Sequence, residues 1–282
     1  MNRDERTAEI ALTAIGLCAV AILGLIIVFI FRESIPAFAK VGVLRFITGT
    51  VWAPGKETFG ILPMIAGSIV VTLGALVIGM PLGLGSAIYL SEFAPNRTAQ
   101  ILKPTIELLA GIPSVVFGFI GLTVLVPFIR DTFGGPGFSV MASAMVLGVM
   151  ILPTMTSISY DALRAVPAAY REGMLAVGAT PWQTVRMVVL PAAKSGILAA
   201  AILSMGRAAG ETMAVIMVAG NATIVPTSLL DPVRTMTSNI ALEMGYASGL
   251  HRSALFATGV VLFVVIGALN TVARAAVRGR KR

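Results

Sequence analysis

The sequence has few charged residues and almost no cysteine. Asp, Glu, Lys and Arg make up 12% of its 282 residues, whereas 57% are hydrophobic, and the mean hydropathy is +0.92. So little polar surface excludes a water-soluble globular protein. The single cysteine, Cys18, excludes an internal disulfide and a cysteine-rich metal site. The composition predicts an all-α membrane protein with room for about six helices of ~20 residues.

Six apolar runs are long enough to span a bilayer: residues 10–31, 62–90, 104–129, 139–159, 192–220 and 254–276. The first run is too long for the apolar core of a typical signal peptide, and we expect a retained anchor. Residues 32–61 contain Trp52, Pro54 and several charges, which predicts an extracytoplasmic loop, and residues 160–191 form the longest interior loop. The chain is therefore predicted to form one transmembrane domain over residues 1–282.

The basic residues predict the orientation of this domain. With the N-terminus inside, seven basic residues fall in exterior segments and Arg207 lies within a helix. Thirteen others are interior: Arg3, Arg6, Arg97, Lys103, Arg164, Arg171, Arg186, Lys194, Arg274, Arg278, Arg280, Lys281 and Arg282. The positive-inside rule therefore predicts that both termini are cytoplasmic. Because the basic residues are dispersed, the net charge of +8 does not indicate a nucleic-acid surface.

The interior segment 160–191 is patterned to form two short helices. Pro167 suits a first helical position, and Tyr170, Met174 and Val177 recur at i, i+4 and i+7 before Gly178. Thr180-Pro-Trp-Gln183 has the arrangement of a capping box with proline in the first turn. This helix–turn–helix suits contact with a partner protein. An amphipathic hairpin that only connects two spanning helices explains the pattern equally well.

The same segment resembles the coupling loop of ABC importer permeases, whose pattern is Glu-Ala-Ala, three residues, Gly, nine residues, Ile-x-Leu-Pro. Here the matching residues are Glu172-Gly173-Met174, Gly178 and Val188-x-Leu190-Pro191, so two alanines and an isoleucine are replaced. The resemblance implies a six-helix, MetI-like permease with cytoplasmic coupling helices that dock on a separate ATPase. ATP and Mg would then be bound by that partner, and the chain itself has no Gly-rich phosphate loop.

Further stretches resemble the permease of phosphate-specific importers, of the PstC type. They are FRESIPAF at 31–38, WAP at 52–54, FGILP at 59–63, PLGLGSAIYLSE at 81–92, GIPSVVFG at 111–118 and GRAAGETMA at 206–214. The stretches at 52–54 and 59–63 favour this type over the sister PstA type. The resemblance implies a PstA-type permease partner, a PstB-type ATPase dimer and an extracytoplasmic PstS-type phosphate-binding protein, in a bacterial inner membrane.

Arg207 and Glu211 are ionisable residues within the fifth apolar run. Their i, i+4 spacing predicts a shared helical face, and Arg207 falls roughly 18–22 Å along a helix that enters the bilayer near residues 192–195. Intramembrane charges usually mark pathways, although a neutralised pair that holds helices together is the alternative. The resemblance implies a transport role for both residues. His251 is expected to be a solvated surface histidine.

Three classes of function are compatible with these patterns. The first is the phosphate permease subunit, and the second is a permease of the same architecture for another oxyanion or small solute. The third is a secondary transporter or channel, which would need no ATPase and often shows inverted repeats. We find no convincing internal repeat, nucleophile–base pair or metal-ligand cluster, so catalysis by this chain is not expected.

Overall fold

The computed structural model describes residues 3–278 and consists mainly of helices. They are α1 (Arg3–Val41), α2 (Val43–Thr48), α3 (Leu62–Ile88), α4 (Asn96–Ala110), α5 (Ser114–Ile120), α6 (Val126–Phe133), α7 (Val140–Arg164), α8 (Ala168–Ala176), α9 (Pro181–Thr184), α10 (Leu190–Gly210), α11 (Met213–Val218), α12 (Met236–Glu243) and α13 (Gly249–Arg278). Strands β1 (Trp52–Ala53) and β2 (Thr58–Phe59) form an antiparallel hairpin. Three π-helical turns follow α3, α5 and α9, at Tyr89–Phe93, Gly121–Leu125 and Val185–Val189.

Six helices within residues 3–278 are long and apolar enough to cross a membrane, which confirms the predicted fold class. They are Ala11–Val41, Leu62–Phe93, Ser114–Phe133, Val140–Arg164, Pro181–Gly210 and Gly249–Ala275. The apolar window of the first has none of its residues buried in the chain, whereas 61% of the window in Val140–Arg164 is buried. Lipid tails are as apolar as leucine, so the exposed face of α1 is stable in a bilayer. Arg280, Lys281 and Arg282 lie outside the described residues.

The predicted loop at residues 32–61 is wrong in its first third, because α1 continues to Val41 through Pro36. Proline interrupts the helical hydrogen-bond ladder. Ser253 of α13 bridges the interrupted ladder. Its hydroxyl donates to the Glu33 carbonyl at 2.6 Å and accepts the Ala37 N–H at 3.0 Å. These two groups would otherwise bond each other directly. A side chain 216 positions away from Ala37 thus extends α1, and no local pattern indicates this.

The third predicted helix, at residues 104–129, is broken into two. Helix α4 ends at Ala110, and α5 starts at Ser114 after Pro113, whose ψ of 137° is extended. Proline also disfavours helical geometry at the residue before it, here Ile112. The break leaves backbone carbonyls at the end of α4 without helical partners.

The fifth predicted helix, at residues 192–220, differs at both ends. Helical structure begins at Pro181 and runs through a π-turn into α10, which ends at Gly210, while α11 is a separate six-residue helix. Pro191 cannot donate a backbone N–H to the helical ladder, and the wider π-turn just before it accommodates this missing hydrogen bond. Helix α12 was not predicted from the sequence. The spans predicted at 139–159 and 254–276 are also longer, as Val140–Arg164 and Gly249–Arg278.

Glycines hold α3 and α7 close together, as the Gly79-x-x-x-Gly83 pattern suggests. A Cβ at Gly79 would meet the Ile151 side chain at 2.5 Å, and one at Gly83 would meet Met155 at 2.7 Å. Small residues permit this approach in lipid, where packing rather than the hydrophobic effect holds helices together. The largest buried cluster lies along this contact and includes Val71, Ala75, Leu147, Ile151 and Val215.

The two ends of the bundle carry different structures. At one end, hereafter the hairpin end, β1, β2, α2 and α12 surround a buried cluster that includes Phe46, Trp52, Phe59, Met236 and Leu255. At the other, hereafter the coupling end, α8 and α9 sit beside a cluster of Ala87, Leu163, Val166, Val189 and Ala193. The candidate functional residues lie at these two ends and at the helix breaks between them.

Candidate transport pathway and coupling segment

Arg207 lies where two interrupted helices meet. It occupies the last turn of α10, just before the interruption at Glu211 and Thr212. Its guanidinium reaches the other interruption, where Nη2 donates to the Ala110 carbonyl at 3.4 Å, and Nη1 donates to Thr154 Oγ1 of α7 at 3.4 Å. The two short helices that follow the breaks also pack together, since a Cβ at Gly118 would meet Ala214 Cα at 2.9 Å. Broken helices at membrane depth occur where they are buried in protein or line a cavity.

The Arg207 guanidinium has weak partners for a cation within the membrane. Its hydrogen bonds to Thr154 and Ala110, at 3.4 Å, are longer than is usual for N–H donors. Among residues whose side chains the structure describes, no carboxylate oxygen lies within 4.0 Å of its nitrogens. A guanidinium offers five N–H donors in a planar fork that matches an oxyanion. The geometry leaves much of that donor capacity free.

Glu211 does not share a helical face with Arg207, so this expectation is wrong. The helix ends at Gly210, and Glu211 has extended backbone angles of φ −68° and ψ 137°. Its carboxylate accepts the Ala214 N–H at 3.2 Å, and its carbonyl accepts the Thr237 hydroxyl at 2.8 Å. Glu211 therefore stabilises the start of α11 and ties the break to α12.

The coupling segment forms the two helices that the sequence predicts. Helix α8 starts one residue later than expected, because Pro167 is its N-cap. Gly178, at φ +84°, ends it: the Gly178 N–H bonds the Leu175 carbonyl and the Ala179 N–H bonds the Met174 carbonyl. These two bonds form a Schellman motif. The Thr180–Gln183 capping box is confirmed, with N–H to oxygen distances of 3.2 and 2.7 Å.

The residues of the coupling pattern differ in exposure. Glu172 and Gly173 are exposed on α8, Met174 is half-buried, and Leu190 and Pro191 start α10. Exposed apolar side chains surround them: Tyr170 (56%), Leu175 (51%), Val177 (80%) and Trp182 (53%). Such a patch on a surface helix pair is typical of a protein interface.

The coupling end contains an ion pair that the sequence does not predict. Arg171 donates from Nε and Nη2 to the two carboxylate oxygens of Glu92, at 2.9 and 2.7 Å. This hydrogen bonding raises the pKa of Arg171 above its ordinary value. The same guanidinium donates to the carbonyl of Leu163 at the end of α7 (2.8 Å) and to that of Val166 in the turn after it (2.7 Å). The 79 residues that separate the partners hide the pair from any local pattern.

A second network lies at the hairpin end and corrects the expectation for His251. The Glu243 carboxylate accepts Trp52 Nε1–H at 2.9 Å and Arg234 Nη1–H at 2.7 Å, and it lies 2.8 Å from His251 Nε2. His251 is only 14% exposed and stacks on Phe59 with ring centroids 6.1 Å apart. It is a packed residue of the hairpin end and not a solvated histidine.

The loop before α12 is also ordered by a carboxylate. Asp231 accepts the Thr227 N–H and hydroxyl and the Ser228 N–H, all within 2.9 Å. The two backbone donors, followed by the hydroxyl, hold the pKa of Asp231 below its ordinary value. Arg234, three residues further on, donates Nε–H to the Asn221 carbonyl at 2.8 Å, which closes the loop.

Comparison with known families defines the class of protein to which this fold and site belong. Residues 79–282 match the model of the binding-protein-dependent transport system inner membrane component. The chain belongs to this family of transporter permeases, which is not a class of catalytic enzymes, and it is a multi-pass inner membrane protein.

Individual relatives extend the similarity over nearly the whole chain. A probable ABC transporter permease protein, YqgH of Bacillus subtilis, is 44% identical over 93% of this chain and 87% of its own. The phosphate transport system permease protein PstC of Mesorhizobium japonicum is 37% identical over 97% of this chain and 92% of its own. PstC 2 of Mycobacterium tuberculosis is 33% identical over 99% and 93%.

Solved transporter structures share the fold. A chain of the MetNI methionine ABC transporter in an inward-facing conformation has a TM-score of 0.58, 23% identity, and covers 79% of this chain and 95% of its own. A chain of a bacterial ABC transporter involved in alginate import has a TM-score of 0.63 at 15% identity, over 98% and 100% of the two chains. At this identity the likeness defines the architecture alone.

Proposed function

We propose that this chain is a permease subunit of an ATP-driven importer of inorganic phosphate. The substrate is inferred from similarity along almost the full chain to permeases named for phosphate transport. Arg207 is its physical counterpart, because a guanidinium with unused donors at two helix breaks suits a partly dehydrated oxyanion. Its hydrogen bonds to Thr154 and Ala110 are long enough to be exchanged for bonds to phosphate.

The importer contains further subunits. In this proposal a homologous PstA-type permease completes the pathway, a PstB-type ATPase dimer binds ATP and Mg, and an extracytoplasmic PstS-type protein delivers phosphate to the hairpin end. Helices α8 and α9 lie on the cytoplasmic side and dock on the ATPase through Glu172 and the surrounding apolar side chains. This chain binds no cofactor of its own.

Arg207 and Glu211 have different roles in the pathway. Arg207 binds passing phosphate through charge-assisted hydrogen bonds, and its weak protein contacts reform when the anion leaves. Glu211 holds the first turn of α11, through the Ala214 N–H, and so keeps the break next to Arg207 open. Its carboxylate also adds a negative charge near the path, which limits how tightly an anion is held.

The test is ATP-dependent uptake of phosphate into proteoliposomes that contain this chain and its candidate partners. Replacing Arg207 by Gln removes the charge, and we expect uptake to fall by at least about tenfold, since a hydrogen bond to a charged group contributes ~1.5–3 kcal/mol. Assembly should persist on size-exclusion chromatography. Arg130→Gln is the matched control, because Arg130 is exposed and, within residues 3–278, forms its ion pair with its neighbour Asp131.

Two other outcomes would change the assignment. Uptake of sulfate in place of phosphate would indicate an importer of the same architecture for another oxyanion. Uptake that persists without ATPase, or with both Glu172 and Gly178 replaced, would favour a secondary transporter whose segment 160–191 is a surface hairpin.

A further inference from the structure

We propose that the ion pair between Arg171 and Glu92 is the joint through which movement of α8 reaches the spanning helices α3 and α7. The inference rests on the proposed function, because it requires an ATPase that displaces α8. Arg171 belongs to α8, and Glu92 belongs to the π-turn that continues α3. The carbonyls of Leu163 and Val166 belong to the end of α7 and the turn that follows it. One guanidinium therefore connects three elements.

This joint is stiff. Two parallel N–H to oxygen bonds fix the orientation of the guanidinium relative to the carboxylate, as a single bond would not. The Glu92 side chain is 7% exposed and that of Arg171 is 23% exposed, so water competes weakly for the contact. The remaining donors satisfy carbonyls at a helix end, where a positive charge is favourable. Breaking the pair would leave Glu92 buried without a counter-charge, which makes sliding of α8 over α3 costly.

The neighbouring residue, Glu172, is rotated by about 100° around α8 from Arg171 and is exposed. The same helical turn therefore presents one residue to a partner and the next to the membrane helices. A second contact supports the joint, because the Phe93 and Trp182 ring centroids lie 6.4 Å apart and link the π-turn to α9. Both coupling helices are thus attached to the end of α3.

From this joint, contacts continue toward Arg207. Helix α7 carries Thr154, whose hydroxyl accepts a hydrogen bond from Arg207 at 3.4 Å. Helices α3 and α7 pack directly at Gly79 and Gly83, so displacing the ends of both moves them as one unit. A shift of α7 against α10 therefore changes the partners available to Arg207. Arg171 acts as a positioning residue in this scheme and touches no substrate.

The test uses the assembled complex in proteoliposomes, with inorganic phosphate as the probe, and measures uptake and ATP hydrolysis in the same vesicles. In Arg171→Gln and Glu92→Gln we expect uptake per ATP hydrolysed to fall at least about fivefold, the lower end of usual coupling effects. ATP hydrolysis itself should stay close to the wild-type rate. The double variant should be no worse than either single one, because all three lose the same contact. Arg164→Gln is the matched control: it removes an exposed positive charge at the end of α7 and should leave the ratio unchanged.

Arg171→Lys separates coupling from folding. It keeps the charge and favours assembly, but it cannot form the paired bonds, so the ratio should still fall. The inference is overturned if the Lys variant assembles with the wild-type ratio, or if the losses of the two Gln variants multiply in the double variant. A wild-type complex that takes up no phosphate would instead overturn the proposed function, whereas normal wild-type uptake with unaffected variants overturns the inference alone.

Discussion

Glu243 is the residue on which the hairpin end depends. Its carboxylate, 9% exposed, contacts donors from three parts of the chain: Trp52 of β1, Arg234 before α12, and His251 of α13. Charged groups at this level of burial are stable only with partners. Removing one partner leaves the other as a buried, uncompensated charge, which destabilises the fold. The network therefore fixes the hairpin against the two helices.

Glu243→Gln should lower the free energy of unfolding by on the order of 3 kcal/mol, because the largely buried Arg234 guanidinium then lacks a carboxylate partner. Chemical unfolding in detergent micelles, followed by tryptophan fluorescence, measures this. Glu57→Gln is the matched control, since the pair that Glu57 forms with Lys40 is about 60% exposed on both sides, and its loss should cost less than about 1 kcal/mol. Equal losses in the two variants would contradict the role of Glu243.

Charged residues were recognised in the sequence more reliably than their partners. Arg207 was identified as an unusual intramembrane cation from its position alone. The i, i+4 spacing to Glu211 implied contact only if the helix continued, and it stops at Gly210. Within residues 3–278, the pairs of Arg171 with Glu92 and of Arg234 with Glu243 are largely shielded from water, and both depend on how distant elements pack.

At the scale of elements, local signals explain the coupling segment well. Helix α8 is ended by a glycine in the left-handed region, and α9 begins at a capping box, so both turns are encoded within a few residues. The breaks at Pro113 and Glu211 are different, because apolar composition alone runs through them. Proline gave a partial signal at the first break. At the second break the backbone is held by Thr237 of α12, a helix absent from the predicted set.

Two glycines in the coupling segment should respond to alanine in opposite ways. Gly178→Ala puts a side chain at φ +84° and should cost roughly 1–2 kcal/mol locally. Gly173→Ala, inside α8, should stabilise the helix by up to about 1 kcal/mol. An added Cβ meets no atom within 4 Å at either position, so only backbone conformation distinguishes them. Hydrogen exchange of residues 168–184 should be faster in the first variant and slower in the second, and slower exchange in both would contradict this account of the turn.

Across the whole molecule, the spanning helices differ in how much of their apolar surface is buried within the bundle. Helix α1 exposes apolar side chains from Leu12 to Ile35, and α3 and α7 form the buried centre. Composition and hydropathy were sufficient to predict six spans, because each crossing of the hydrocarbon core needs about 20 mostly apolar residues. The helix ends were less predictable, since bonds such as those of Ser253 to α1 extend a span beyond its apolar run.

The orientation of the domain is a prediction from its charges, and labelling can measure it directly. In a Cys18→Ser background, we expect Lys56→Cys to react with a membrane-impermeant maleimide in intact spheroplasts, because Lys56 is an exposed residue of the hairpin end. Arg164→Cys, exposed at the coupling end, should react only after the membrane is permeabilised. The reverse pattern would place α8 and α9 outside, where no ATP-driven subunit could move them. The Arg171–Glu92 joint would then have no source of force, so this labelling experiment tests the premise on which the coupling scheme depends.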